Sequence, residues 1–115
     1  MPKQSAPLFT LTTQATTALV QDCFITVAGA QAAADGNALG VVRQNANIGD
    51  YVPVDVLGTT IVQAGAAISK GATVKSDASG RAITWATSGA KLGTALQAAS
   101  SAGQLIEVLL IQNVA

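Results

Sequence analysis

Residues 62–82 read VQAGAAISKGATVKSDASGRA, short apolar runs each stopped by glycine, at Gly65, Gly71 and Gly80. No run is long enough for a stable helix, and each ends in small or polar turn residues. That is the pattern of compact antiparallel β-structure. The glycines at 40, 49 and 58, and again at 71, 80 and 89, are nine residues apart within each group. A calcium-binding nonapeptide roll has the same period. Its acidic residues would have to recur in phase, and here they do not. The spacing predicts strand-turn-strand units of an all-β fold, a small single-domain β-barrel or sandwich with short strands.

At 115 residues the chain is expected to be one domain. Half of it is hydrophobic but only 3% is aromatic, and much of the apolar count is alanine. Burial contributes about 25 cal/mol per Å², so an alanine-rich core is a thin one. Contacts with other subunits are expected to supply part of the stability. Six basic and six acidic residues cancel. Without a basic surplus, a nucleic-acid partner is not expected. Charged residues are only 10%, a surface that favours association. No apolar run approaches the ~20 residues of a membrane span. The N-terminus lacks the apolar stretch of a secretory signal, so synthesis in a cytosolic setting is expected.

Taken in order, residues 1–12 form an expected flexible N-terminal arm ahead of a β-domain over 13–115. Within the arm, Phe9 and Leu11 alternate with threonines. Two readings stay open there: strand addition to a neighbouring molecule, or an ordinary first strand of the domain. Strands are expected at 23–27, 38–43, 51–57, 59–63, 73–75, 81–85, 92–99 and 104–112. Residues 57 and 58 are read as a turn joining 51–57 to 59–63 in a hairpin. In 51–57, Val52, Val54 and Val56 share one face and Tyr51, Pro53 and Asp55 the other. Pro53 cannot donate a ladder hydrogen bond, which predicts an edge strand or a bulge. QLIEVLLIQ at 104–112 is apolar on both faces except for Glu107, which predicts a central strand. The run AGAQAAA at 28–34 has helical propensity, but Gly29 and the turn signal Asp35-Gly36-Asn37 predict a loop or one helical turn.

Chemistry finds little to work with. The chain has no histidine and one cysteine. Ser-His-Asp and Cys-His arrangements are therefore absent, and a zinc site lacks its usual ligands. No catalytic, cofactor or metal residues are assigned. Cys23 reads as a buried thiol acting as a small hydrophobe. Most carboxylates sit in turns, where backbone hydrogen bonds are their expected role. Lys70 and Lys75 lie near turns, as attachment lysines do in biotinyl or lipoyl carrier domains, so a carrier domain is the alternative function. Tyr51 and Trp85 serve either an interface or the core. The expected partner-binding residues are Phe9, Leu11, Tyr51 and Trp85. The two ring residues also hint at a carbohydrate-binding module.

Several segments resemble the capsid cement, or head-decoration, proteins of tailed bacteriophages. They are ALGV at 38–41, GDYVPV at 49–54, VQAGAAI at 62–68 and GATV at 71–74 followed by Asp77 and GRA at 80–82, then LGTAL at 92–96 and AGQLIEVL at 102–109. One departure is Ala72, where an acidic residue is common. The resemblance implies a β-rich, non-enzymatic virion protein on the outer capsid surface. It would bind across neighbouring major capsid subunits and stabilise the shell against packaged DNA. It also implies a homo-oligomer, commonly a trimer, with dimers also occurring.

Overall fold

The computed structural model describes the backbone of residues 6–114 and the side chains of residues 10–110. Eight strands account for its regular structure: β1 (Ala6–Gln14), β2 (Phe24–Ile25), β3 (Gly40–Val42), β4 (Tyr51–Gln63), β5 (Thr73–Ser76), β6 (Ala82–Thr84), β7 (Lys91–Ala95) and β8 (Leu105–Val114). Among the described residues there is no helix. The alanine-rich 28–34 segment is loop, as its glycine and turn residues predict.

All strand pairs are antiparallel, and the sheet runs β2-β3-β4-β8-β7-β5-β6 with β1 also on β4. After β4 the chain forms a parallel bridge between Ala64 and Ala82. There the Gly65 N–H donates to the Ala82 carbonyl at 2.7 Å. That bridge brings β6 back beside the end of β4 and almost closes the sheet into a barrel.

β4 is the spine. Val54 and Asp55 pair with β1 on one edge and β3 on the other. Gly58 and Thr59 pair with β1 on the first edge and β8 on the second. The expected hairpin at residues 57 and 58 is therefore corrected to one continuous strand of 13 residues. Gly58 has φ 92°, a backbone that suits glycine. Thr10 pairs with Asp55 and Phe9 with Leu57, so Val56 is an extra residue on β4. The glycine serves a bulge that bends the strand, not a turn that reverses it. Pro53 lies on this central strand at the point where β3 stops. Its carbonyl accepts the Arg43 N–H at 3.1 Å. Its nitrogen faces the same edge, where β3 no longer needs a donor.

Two cores result. The larger lies inside the barrel and includes Phe24, Val41, Val62, Val74, Leu92, Ile106 and Val108. Among the described residues seven of its sixteen members are alanine, which keeps the strands close and the interior narrow. The smaller core holds Ala15, Leu19, Ile25, Val42, Ala46, Val52 and Val54. Successive residues of β2 and β3 alternate between the two. This ribbon is a wall buried on both faces, and it is apolar throughout for that reason.

Candidate interaction surfaces

The carboxylates divide into two kinds. Asp50 and Asp77 sit in turns: Asp50 Oδ2 accepts the Asn47 N–H at 2.9 Å, and Asp77 Oδ1 accepts the Ser79 and Arg81 N–H groups at 2.8 and 2.9 Å. Asp55 and Glu107 are instead buried within strands. Asp55 is fully buried, accepting hydrogen bonds from Thr10 Oγ1 at 3.1 Å and Thr60 Oγ1 at 2.8 Å. Arg43 Nε stands 3.6 Å from the same carboxylate. Strand alternation had put Asp55 beside the exposed Tyr51. The bulge and these partners draw it inside.

Asp22 lies near this cluster, and burial pushes its carboxyl up, opposed by the Arg43 charge and reinforced by that of Asp55. Cys23 is buried, and desolvation, aided by Asp77 and Asp22, lifts its thiol to about 11. A thiol so placed is a packing group rather than a nucleophile. Lys75 Nζ is held by Asp35 Oδ1 at 2.6 Å and donates to the Ser88 carbonyl at 3.1 Å. Its amine ties two loops together and is a poor attachment point. Lys70 is exposed in the turn before Gly71. Among the described residues no cluster of histidine, cysteine and carboxylates is arranged to hold a metal ion.

The four residues expected to bind a partner divide as well. Leu11 pairs with Val54 and is half-buried, while Tyr51 pairs with Gln14 and is exposed. Both lie on the β1–β4 ribbon. The backbone of Phe9 joins the same ribbon opposite Leu57, and its side chain lies outside the described residues. Trp85 stands apart, directly after β6. Its Nε1–H donates to the Gly89 carbonyl at 2.9 Å, and Lys91 Nζ sits 4.6 Å from the ring centroid. Tyr51 opens β4 and Trp85 follows β6, and these two strands do not pair.

β1 is the first strand of the sheet, and the boundary expected between residues 12 and 13 falls inside it. Its first five predecessors in the expected arm lie outside the described residues. The Ala15 N–H donates to the Asp50 carbonyl at 2.7 Å. That sets the phase: Leu11 and Thr13 direct their backbone groups to β4, and Thr10 and Thr12 direct theirs to the outer edge. Thr16 caps the end of that edge through bonds to Gly29 and Ala28. Among the described residues no strand pairs with the rest of it. The strand sequence APLFTLTTQ carries no charge to discourage pairing.

A second surface was missed in the sequence. On β8, Ile106, Val108 and Leu110 enter the core, so Leu105, Glu107 and Leu109 face the other way. Leu105 and Leu109 are each 40% exposed, and Glu107 between them is buried. The odd-numbered residues of QLIEVLLIQ, Leu105, Glu107 and Leu109, carried this signal.

The family model for phage cement protein matches residues 3–110. Among solved structures, the chain is similar to one described as the crystal structure of the head fiber gp8.5 N base in bacteriophage phi29. The two are 18% identical, with a TM-score of 0.74 over 93% of this chain and 98% of that one. At that identity the likeness shows a shared fold. No curated protein sequence matches the chain.

Proposed function

The chain belongs to the phage cement protein family and is a structural protein of the phage capsid, and from that premise we propose that it binds the outer face of the shell across seams between neighbouring major capsid subunits. The open, uncharged edge of β1 is the observation that supports this reading best. A strand laid against Thr10 and Thr12 would satisfy backbone groups that otherwise face water. Such a bond is sequence-tolerant and suits repeated use over a lattice. A few kcal/mol per contact is modest alone and becomes large by avidity when copies are linked.

On this reading the protein acts as a homo-oligomer, with a trimer preferred, and does no catalysis. The side chains expected to contribute are Phe9, Leu11 and Tyr51 along the β1–β4 ribbon. Trp85 is the weaker candidate, since its indole N–H and ring face are already engaged within the chain. The test is addition of purified protein to undecorated heads of the phage that encodes it, imaged by electron cryomicroscopy. Density bridging adjacent capsid subunits is the expected result. Density confined within one subunit, or none, would overturn the reading.

A further inference from the structure

Bridging a seam needs two contact surfaces, and the edge of β1 is only one. The outward face of β4 and β8 has the makings of another. In register, Ile61 stands opposite Glu107 and Gln63 opposite Leu105. Leu105 and Leu109 are exposed above that row and Ile61 is half-buried within it. Of the other large exposed aliphatics, Val20, Val27 and Ile48 sit in separate loops, and Leu57 lies farther along β4.

Glu107 gives this face its chemistry. It is 3% exposed, and its Oε1 has no hydrogen-bond partner among the described residues. The backbone around it is satisfied: its N–H donates to Gln97 Oε1 at 3.0 Å and its carbonyl accepts the Leu96 N–H at 2.9 Å. Only the carboxylate is left short of a donor, and a buried oxygen in that state favours any partner that supplies one. Beside it, Ile61 and Leu105 also line a depression with Asp22 and Arg43. Arg43 is already paired with Asp55 and shares the depression with Asp22, so with Glu107 nearby the carboxylates outnumber the guanidinium and the surplus charge is negative.

We propose that this face, Ile61, Leu105 and Leu109 around Glu107, is a second docking surface that takes a capsid segment presenting an arginine or lysine flanked by apolar residues. The proposal rests on the capsid-binding reading above. A second copy of this chain related by a two-fold axis does not suit the face, because it would set carboxylates against carboxylates. A basic side chain seated over the two leucines offsets the surplus charge and, as the leucines part, supplies the buried Glu107 Oε1 with its missing donor, while the leucines lose water-exposed area.

The experiment measures binding of the full chain and its variants to undecorated heads by co-sedimentation at two salt concentrations. Circular dichroism checks the fold of each variant. Leu105→Ser with Leu109→Ser changes only exposed side chains and is expected to weaken binding about tenfold or more. Glu107→Gln is expected to weaken binding severalfold and to flatten its salt dependence. Val27→Ser and Ile48→Ser are expected to bind like the parent. Binding by the parent with undiminished binding by the folded leucine variant would overturn the docking surface alone. Loss with the leucine variant but unchanged salt dependence with Glu107→Gln would overturn the basic partner. If Glu107→Gln does not fold, the salt dependence of Asp22→Asn decides that point. No binding by the parent would overturn both this proposal and the reading it rests on.

Discussion

Thr60 donates its hydroxyl to Asp55 Oδ2 at 2.8 Å across the bulge in β4, five residues along the same strand. Thr10 of β1 donates to the other oxygen at 3.1 Å, and Arg43 approaches from the end of β3. One buried carboxylate thus fixes the bend of the spine and fastens two other strands to it. Asp55→Ala removes two charge-assisted hydrogen bonds and strands the Thr60 hydroxyl. The expected loss is about 3 kcal/mol, read from urea unfolding. Arg43 is half-exposed and adds little to that sum. Asp55→Asn keeps an acceptor and is expected to lose less.

The close approach of β3 to its neighbour β4 leaves no room for a side chain at Gly40. A Cβ there would run into the carbonyl oxygen of Asp55, and the Val54 side chain is only 3.1 Å away. Backbone cannot move aside as a flexible side chain can. Gly40→Ala is therefore expected to cost about 2–3 kcal/mol by overpacking, seen as a lower denaturant midpoint. Gly71→Ala is the comparison: its Cβ would meet open space, and only its φ of 89° opposes the change.

Much of the fold was legible because its signals are local. The turn at Asp77 and Gly80 and the apolar length of β8 both formed where periodicity put them. The spine was misread because a glycine at positive φ marks a turn and a bulge alike. What separates them at Gly58 is the pairing of β1 and β8 on either side, contributed by residues some fifty positions away in each direction. Asp55 was placed with the exposed Tyr51 for a similar reason. Its hydroxyl partner Thr10 is 45 residues distant. Glu107 stood out as the one charged residue of its strand, but its burial depends on β4 and on Gln97, which no local pattern reveals.

Two loop carboxylates pull stability in opposite directions with pH. Burial raises the Asp22 carboxyl, whereas the hydrogen bond and ion pair with Lys75 lower that of Asp35. With the folded value raised, the native state binds the Asp22 proton more tightly than the unfolded chain. Its contribution to stability falls as pH rises through that window and stays low above it. With the folded value lowered, Asp35 contributes stability above its unfolded value, lost as pH falls through the folded one. Both residues have positive φ, 65° and 61°, which asparagine tolerates. At pH 7, Asp22→Asn is expected to raise Tm and Asp35→Asn to lower it. Both differences should shrink as the pH is taken down until both carboxyls are protonated in the folded and unfolded chain. Calorimetry across that range checks the signs.

The thiol of Cys23 offers a probe of opening. It is buried, with a titration point lifted to about 11, so little thiolate exists at neutral pH. In the native protein it is expected to resist a disulfide reagent at pH 7.5, and to react within the mixing time in denaturant. Its slow native reaction then reports the local opening of β2. Fast reaction without denaturant would contradict the burial.

The edge of β1 allows a test that spares the fold. Removing residues 1–12 outright would delete most of a strand that pairs along β4 from Ala6 to Gln14, so loss of capsid binding by that deletion would have two causes. Thr12→Pro is more selective. The Thr12 N–H faces away from β4, so the ladder loses nothing when it is removed. The ring projects where an added strand would lie, which is how natural edges are blocked. The variant is expected to keep the parent's Tm within a few degrees, with about 1 kcal/mol or less lost. Its occupancy on undecorated heads is expected to fall at least tenfold, since an added strand would meet both a missing donor and a steric block. Thr13→Ser, on the side facing β4, should leave occupancy unchanged. Full occupancy by a folded Thr12→Pro chain would show that the strand edge takes no part in holding the protein to the shell.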